Sequence, residues 1–108
     1  MLRRLKKSIL IKIQDKVKKI LKNESSGHDY WHAYRVMKMN QYLARDYQVD
    51  IMSLSLSGLL HDISYPEIKN LKDYRKNHIL SADKAEKILK EFGLPIEIIK
   101  KVKSIIIE

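Results

Sequence analysis

The chain has 108 residues, 44% hydrophobic and 32% charged, which suits one soluble globular domain with a modest core and excludes two. It has no cysteine, so disulfides and thiolate metal ligands are excluded; His and carboxylates remain as strong ligands, and a reducing cytoplasm is the compartment that fits. The net charge of +9 would suggest nucleic acid or a membrane surface if it were evenly spread, but residues 1–22 hold nine Lys/Arg against Asp15 alone, while residues 23–108 hold thirteen basic and twelve acidic residues.

Residues 2–22 carry Leu2, Leu5, Ile9, Ile13, Val17, Ile20 and Leu21 at helical spacing with lysines on the other side, the pattern of an amphipathic basic helix. Packing onto the rest of the chain requires such an apolar stripe and is the expectation. Docking on nucleic acid or an anionic membrane is the other use it allows. The apolar run Ile9-Leu10-Ile11 stops at Lys12, too short for a signal-peptide core or a membrane span. Asn23-Glu24-Ser25-Ser26-Gly27 breaks the helix, and Ser26 with Asp29 forms a capping pair for a second helix from about Asp29 to Tyr47. Its expected buried side includes Trp31, Tyr34, Val36, Met39 and Leu43.

From Asp50 to Gly58 apolar and small polar residues alternate, which by period alone permits a strand. A helix is the better reading: Asp50 can cap it, the run continues through Leu59-Leu60-His61-Asp62-Ile63, and a Ser/Gly face lets a neighbouring helix come close. Pro66 is expected to end it by pushing Tyr65 out of the helical region. Residues 66–77 are polar with weak periodicity, a loop or short helix. Lys69, Lys72, Arg75 and Lys76 make this segment mildly cationic, so that it is either simply solvated or a lid that gathers phosphate. Ile79, Ala82, Ala85, Ile88, Leu89 and Phe92 mark the next helix, stopped by a left-handed cap at Gly93 before Leu94-Pro95. A last helix opens near Pro95 and is still apolar at Ile105-Ile106-Ile107. No strand pair, repeat or low-complexity segment appears, so the class is all-α.

Two short stretches carry chemistry. His28 and His32 lie four apart on one face at the start of the second helix, beside Asp29, aromatic residues and Arg35. His-Asp-x-x-His is similar to the zinc-protease pattern His-Glu-x-x-His, but Asp29 is one methylene shorter than Glu and no recognisable third-ligand motif follows. His61-Asp62 closes an otherwise apolar helix, where adjacent side chains diverge by about 100° yet can bend toward one point beyond the last turn. Taken alone, that pair has a plainer account as a polar helix end, with His61 favoured by the helix dipole.

Together, Gly27-His28-Asp29-Tyr30-Trp31-His32-Ala33-Tyr34-Arg35-Val36 and Leu59-Leu60-His61-Asp62-Ile63 resemble the HD superfamily of metal-dependent phosphohydrolases, especially its small bacterial and archaeal members. The resemblance covers about residues 26–108, including His78-Ile79-Leu80-Ser81-Ala82 and Phe92-Gly93-Leu94-Pro95. It implies an HD-like helical bundle of about five to six helices, with residues 1–22 as a basic helix packed on the body and 26–108 as the HD domain. By the same resemblance His32, His61 and Asp62 are the ligands of a divalent cation, either Mg or one of Mn, Fe, Co, Ni and Zn. The substrate it implies is a nucleotide or another small phosphorylated metabolite. The family's fourth ligand, an Asp on a later helix, has no match before Glu108, so the expected domain is C-terminally truncated. The last ligand would then come from a longer native chain, from another chain or from water.

Two imidazoles and a carboxylate suit a first-row divalent cation, which polarises a phosphoryl oxygen and acidifies water. Asp62 and Arg35 are the residues expected to serve catalysis: Asp62 keeps the site charge-compensated, and Arg35, one turn beyond His32, can reach a phosphate oxygen. A surface charge or salt-bridge role for Arg35 stands beside that one. His28 falls to a supporting position or the helix start, His78 to a helix start, and Trp31 to the core rather than a base-stacking platform. The expected activity is that of a metal-dependent phosphohydrolase. The competing class is a non-catalytic, metal-stabilised module that uses its basic first helix on nucleic acid or membrane.

Overall fold

The computed structural model describes residues 2–24, 29–45 and 50–108, with side chains from residue 7 onward. These residues form helices α1 (Leu2–Ile20), α2 (Tyr30–Ala44), α3 (Ile51–Leu60), α4 (Leu71–Arg75), α5 (Asn77–Glu91) and α6 (Ile96–Ile107), with a 3-10 turn at Tyr65–Glu67. No strand occurs among the described residues, and the all-α bundle is the one the sequence leads to. No helix among them is long and apolar enough to cross a membrane.

The most apolar helix, α3, lies at the centre: Leu56, Leu59 and Leu60 are fully buried, and α1, α2, α5 and α6 all pack against it. From α1 and the turn that follows it come Ile13, Val17 and Leu21, from α5 Ala82, Ala85, Ile88 and Leu89, and from α6 Ile99, Val102 and Ile106, all in one core cluster. Ile13 and Val17 of the α1 stripe are therefore used in packing, while Lys12, Lys18 and Lys19 stay exposed on the outer side of the helix. Between α5 and α6, Lys103 Nζ lies 2.5 Å from Glu86 Oε1, and within α5 Lys90 Nζ lies 3.0 Å from Glu86 Oε2.

The polar residues of α3 explain how it can sit so deep. The Ser55 hydroxyl donates to the Ile51 carbonyl at 2.7 Å and the Ser57 hydroxyl to that of Leu54 at 2.9 Å, so each is satisfied within its own helix. Asp50 caps the helix as expected, accepting from Ser53 N at 3.1 Å. Across the interface, α2 supplies amides: Asn40 Nδ2 donates to Leu54 O at 3.0 Å, and Gln41 Nε2 to Ser55 Oγ at 2.9 Å.

That interface overturns the expected burial of α2. Trp31, Met39 and Leu43, expected inside, are 54%, 56% and 57% exposed, while Ala33, Met37 and Ala44 are buried with Tyr34 and Val36 only partly so. A Ser/Gly face selects small residues and amide side chains opposite it, and the large apolar residues are turned to the other side. The second helix also ends at Ala44, and Asp29 caps it by accepting from His32 N at 3.0 Å. The proposed capping residue Ser26 and the endpoint Tyr47 lie outside the described residues.

Three smaller differences follow. The third helix stops at Leu60 rather than running through Ile63; residues 61–64 form a turn, and Pro66 falls inside the 3-10 turn that follows. Residues 66–77 contain the short α4, capped by the Asn70 side chain, which accepts from Asp73 N at 2.8 Å. Ile79, expected on the buried side of α5, is 44% exposed. Gly93 does adopt the expected left-handed conformation, with φ of 75°.

Two outcomes test this packing. A Cβ on Gly58 would lie 2.8 Å from Asn40 Nδ2 and 3.0 Å from Met37 Cα and N, and the backbone atoms cannot be moved by a rotamer change. Gly58→Ala is expected to lose about 1–3 kcal/mol to overpacking, more than its helix-propensity gain of under ~1 kcal/mol returns, and thermal melting should show a lower Tm. The hydrogen bonds from Lys103 and Lys90 hold the Glu86 carboxyl down to about 2, below the ordinary 4.5. A folded value below the unfolded one means that the stabilisation is present above pH 4.5 and is lost as pH falls toward 2. Glu86→Gln should melt below the unmodified protein near neutral pH, and the two curves should converge in acid.

Candidate metal centre

Helices α2 and α3 run antiparallel, with Met37 opposite Gly58 and Gln41 opposite Ser55. One turn further back along α2 and one turn further on along α3, this register sets His32 against His61. The two imidazole rings lie 5.3 Å apart between centroids. His61 caps the end of α3, and Asp62 follows in the turn, which is closed by Ile63 N donating to Leu60 O and Tyr65 N donating to Asp62 O. Early termination of α3 thus places Asp62 where a regular helix would not.

Asp62 Oδ2 lies 3.2 Å from His61 Nε2 and 3.9 Å from His32 Nε2. Its other oxygen, Oδ1, accepts from Asn77 Nδ2 at 2.8 Å. His61 Nδ1 is 2.6 Å from the Gly58 carbonyl oxygen, which can only accept, so Nδ1 carries a proton and Nε2 is the atom turned to Asp62. Burial pulls the His61 pKa down, but the hydrogen bond and charge of Asp62, with the Gly58 carbonyl, outweigh it and leave the value raised above 6.5.

The ligand atoms of His32, His61 and Asp62 all lie within 4.8 Å of one another, the one such His/Asp/Glu group among the described residues. Nitrogen and carboxylate ligands sit about 2.0–2.2 Å from a first-row divalent ion, so ligands of one ion are spaced about 3–4 Å apart. The donor set fits such an ion in ligand type and in carrying a single carboxylate charge, and the distances from Asp62 Oδ2 to the two imidazoles, 3.2 and 3.9 Å, fall in that range.

The other residues singled out in the sequence are less tightly placed. Arg35 is exposed on α2 and makes no hydrogen bond or ion pair among the described residues; His78 is exposed on α5, outside the cluster; His28 lies outside the described residues. Trp31, expected in the core, stands at the surface with edge-on contacts to Tyr30 and Tyr34 and with Lys18 Nζ 5.6 Å from its ring centroid. Lys69, Lys72, Arg75 and Lys76 are exposed along the segment that contains α4. Sequence reasoning missed Asn77 and Ser81. The available signal was a serine on the buried stripe of α5, at the spacing of Ala85 and Ile88, because a buried hydroxyl needs a partner and Asn77 lies one turn before it.

A family model, the HD domain, matches residues 30–108, which takes in α2 to α6 and all three clustered residues. None of the curated proteins and none of the solved structures gives a significant match. On the extent of that match, the chain belongs to the HD domain family, a family of metal-dependent phosphohydrolases.

Proposed function

We propose that this chain is a metal-dependent phosphohydrolase of nucleotides or other small phosphate esters, with His32, His61 and Asp62 holding one divalent cation. The observation that carries the proposal is the convergence of these three side chains, from two helices and a turn, in an HD-family chain. When bound, the cation supplies a Lewis acid that polarises a phosphoryl oxygen and acidifies water.

The chain's own residues do the orienting. The Gly58 carbonyl holds His61 in the tautomer whose Nε2 lone pair faces the cluster, and Asp62 offsets positive charge there. Arg35, one turn from His32, is exposed and not engaged by another described side chain, so its guanidinium is available to two phosphate oxygens. Use of α1 as an independent docking helix has less to support it, since Ile13, Val17 and Leu21 are buried in the core.

Metal analysis of the purified protein tests the site: about one equivalent of Mg or of one of Mn, Fe, Co, Ni and Zn is expected, and loss of it in His61→Ala. Absence of stoichiometric metal in the unmodified protein would sink the assignment. In a panel of nucleotides and phosphoesters, release of inorganic phosphate should require the metal, and Arg35→Ala should raise KM several-fold with metal content unchanged. The cation has to displace a proton that Asp62 holds on His61 with a pKa raised above 6.5. Mn affinity should therefore fall about tenfold per pH unit below that pKa and level off above it, as titration calorimetry at several pH values would show.

A further inference from the structure

We infer that Asn77 is a positioning residue for the metal site, the last donor in a one-way hydrogen-bond chain that ends on Asp62; this rests on the assignment of Asp62 as a ligand. The direction of the chain follows from its two ends, since a backbone N–H can only donate and the Asp62 carboxylate can only accept. The Ser64 backbone N–H can only donate, and its acceptor at 3.2 Å is the Ser81 hydroxyl oxygen. The Ser81 hydroxyl in turn donates to Asn77 Oδ1, also at 3.2 Å. With its oxygen so engaged, Asn77 presents Nδ2 outward, and that amide donates to Asp62 Oδ1 at 2.8 Å.

Ser81 is fully buried and Ser64 is 3% exposed, so water does not compete for the first link, and the second starts from a buried hydroxyl. Ser64 and Asp62 belong to the same turn, whereas Asn77 and Ser81 stand one turn apart on α5. The chain therefore leaves the turn, passes through α5 and returns to the turn two residues from where it started. It makes the position of Asp62 depend on α5, which contributes no atom to the His32, His61 and Asp62 group.

Two consequences follow for the carboxylate. Nδ2 binds Oδ1, which leaves Oδ2, the oxygen near both imidazoles, as the atom through which Asp62 would meet the cation. The amide also fixes the plane of the carboxylate, which would otherwise turn freely about its terminal torsion, the softest one in the side chain. Removal of a partner that orients a metal ligand costs about 10–100-fold in metal affinity.

The test is the Kd for Mn, read from the signal of free Mn by electron paramagnetic resonance, together with the melting temperature of the metal-free protein. Asn77→Leu keeps the volume and removes the donor, Asn77→Gln keeps a donor amide, and Ser81→Ala cuts the chain one link earlier. The expected result is a Kd raised about 10–100-fold in Asn77→Leu, several-fold in Ser81→Ala, and largely restored in Asn77→Gln, with metal-free melting within a few degrees throughout. A merely structural role would lower the melting temperature and leave the Kd of the folded protein unchanged, and that result overturns the inference. Should Asn77→Leu not fold, Ser81→Ala decides by the same Kd criterion. If the unmodified protein binds no Mn, the ligand assignment fails and this inference with it; if it binds Mn and the variants match it, only the role of Asn77 fails.

Discussion

At Gly58 the backbones of α2 and α3 come so near that one added carbon would stand 3.0 Å from two backbone atoms of Met37. This approach sets the distance between the helices, and the amide contacts of Asn40 and Gln41 fix their register. His32 and His61 are carried by these same two helices, so the spacing of their rings is inherited from an interface of serines, a glycine and two amides. Gly58 acts twice, since its missing side chain admits α2 and its carbonyl orients His61. A substitution there would disturb both the packing and the imidazole through a single residue.

Asp62 is positioned by a different means. It lies in a turn, where a carboxylate has more freedom than on a helix, and its side chain is 12% exposed between two histidines and an amide. The raised pKa of His61 reflects the same arrangement: without a cation, a proton on Nε2 is what the carboxylate best accommodates. On the proposed ligand assignment, proton and cation would be alternative occupants of one electrostatic well.

The sequence made the helices readable where apolar periodicity and capping residues agreed, as at Asp50, Gly93 and the stripe of Ile13, Val17 and Leu21. It misled on α2 because large apolar residues are an unreliable guide to the inner face when the opposing helix offers serine and glycine, and Trp31, Met39 and Leu43 were assigned to the wrong side for that reason. The cluster was legible through the family resemblance more than through spacing, since nothing in one dimension sets His32 beside His61. Asn77 was overlooked because the neighbouring His78 is the more conspicuous ligand type, yet the fold turns that histidine to the surface and the asparagine inward. The end of α3 at Leu60 was invisible because Asp62 and Ile63 continue the helical pattern while the chain already turns.

The exposed lysines of α1 bear unequally on the cation and the phosphate ester proposed for the site. A chain of net charge +9 repels a divalent cation at long range and attracts a phosphate ester, so under the proposed function the cation would be held by short-range ligation while the anion would be drawn in by the field of the whole molecule. Added salt screens both effects, easing entry of the cation and slowing arrival of the anion. Ionic strength would therefore act with opposite sign on the two partners proposed for a single small centre.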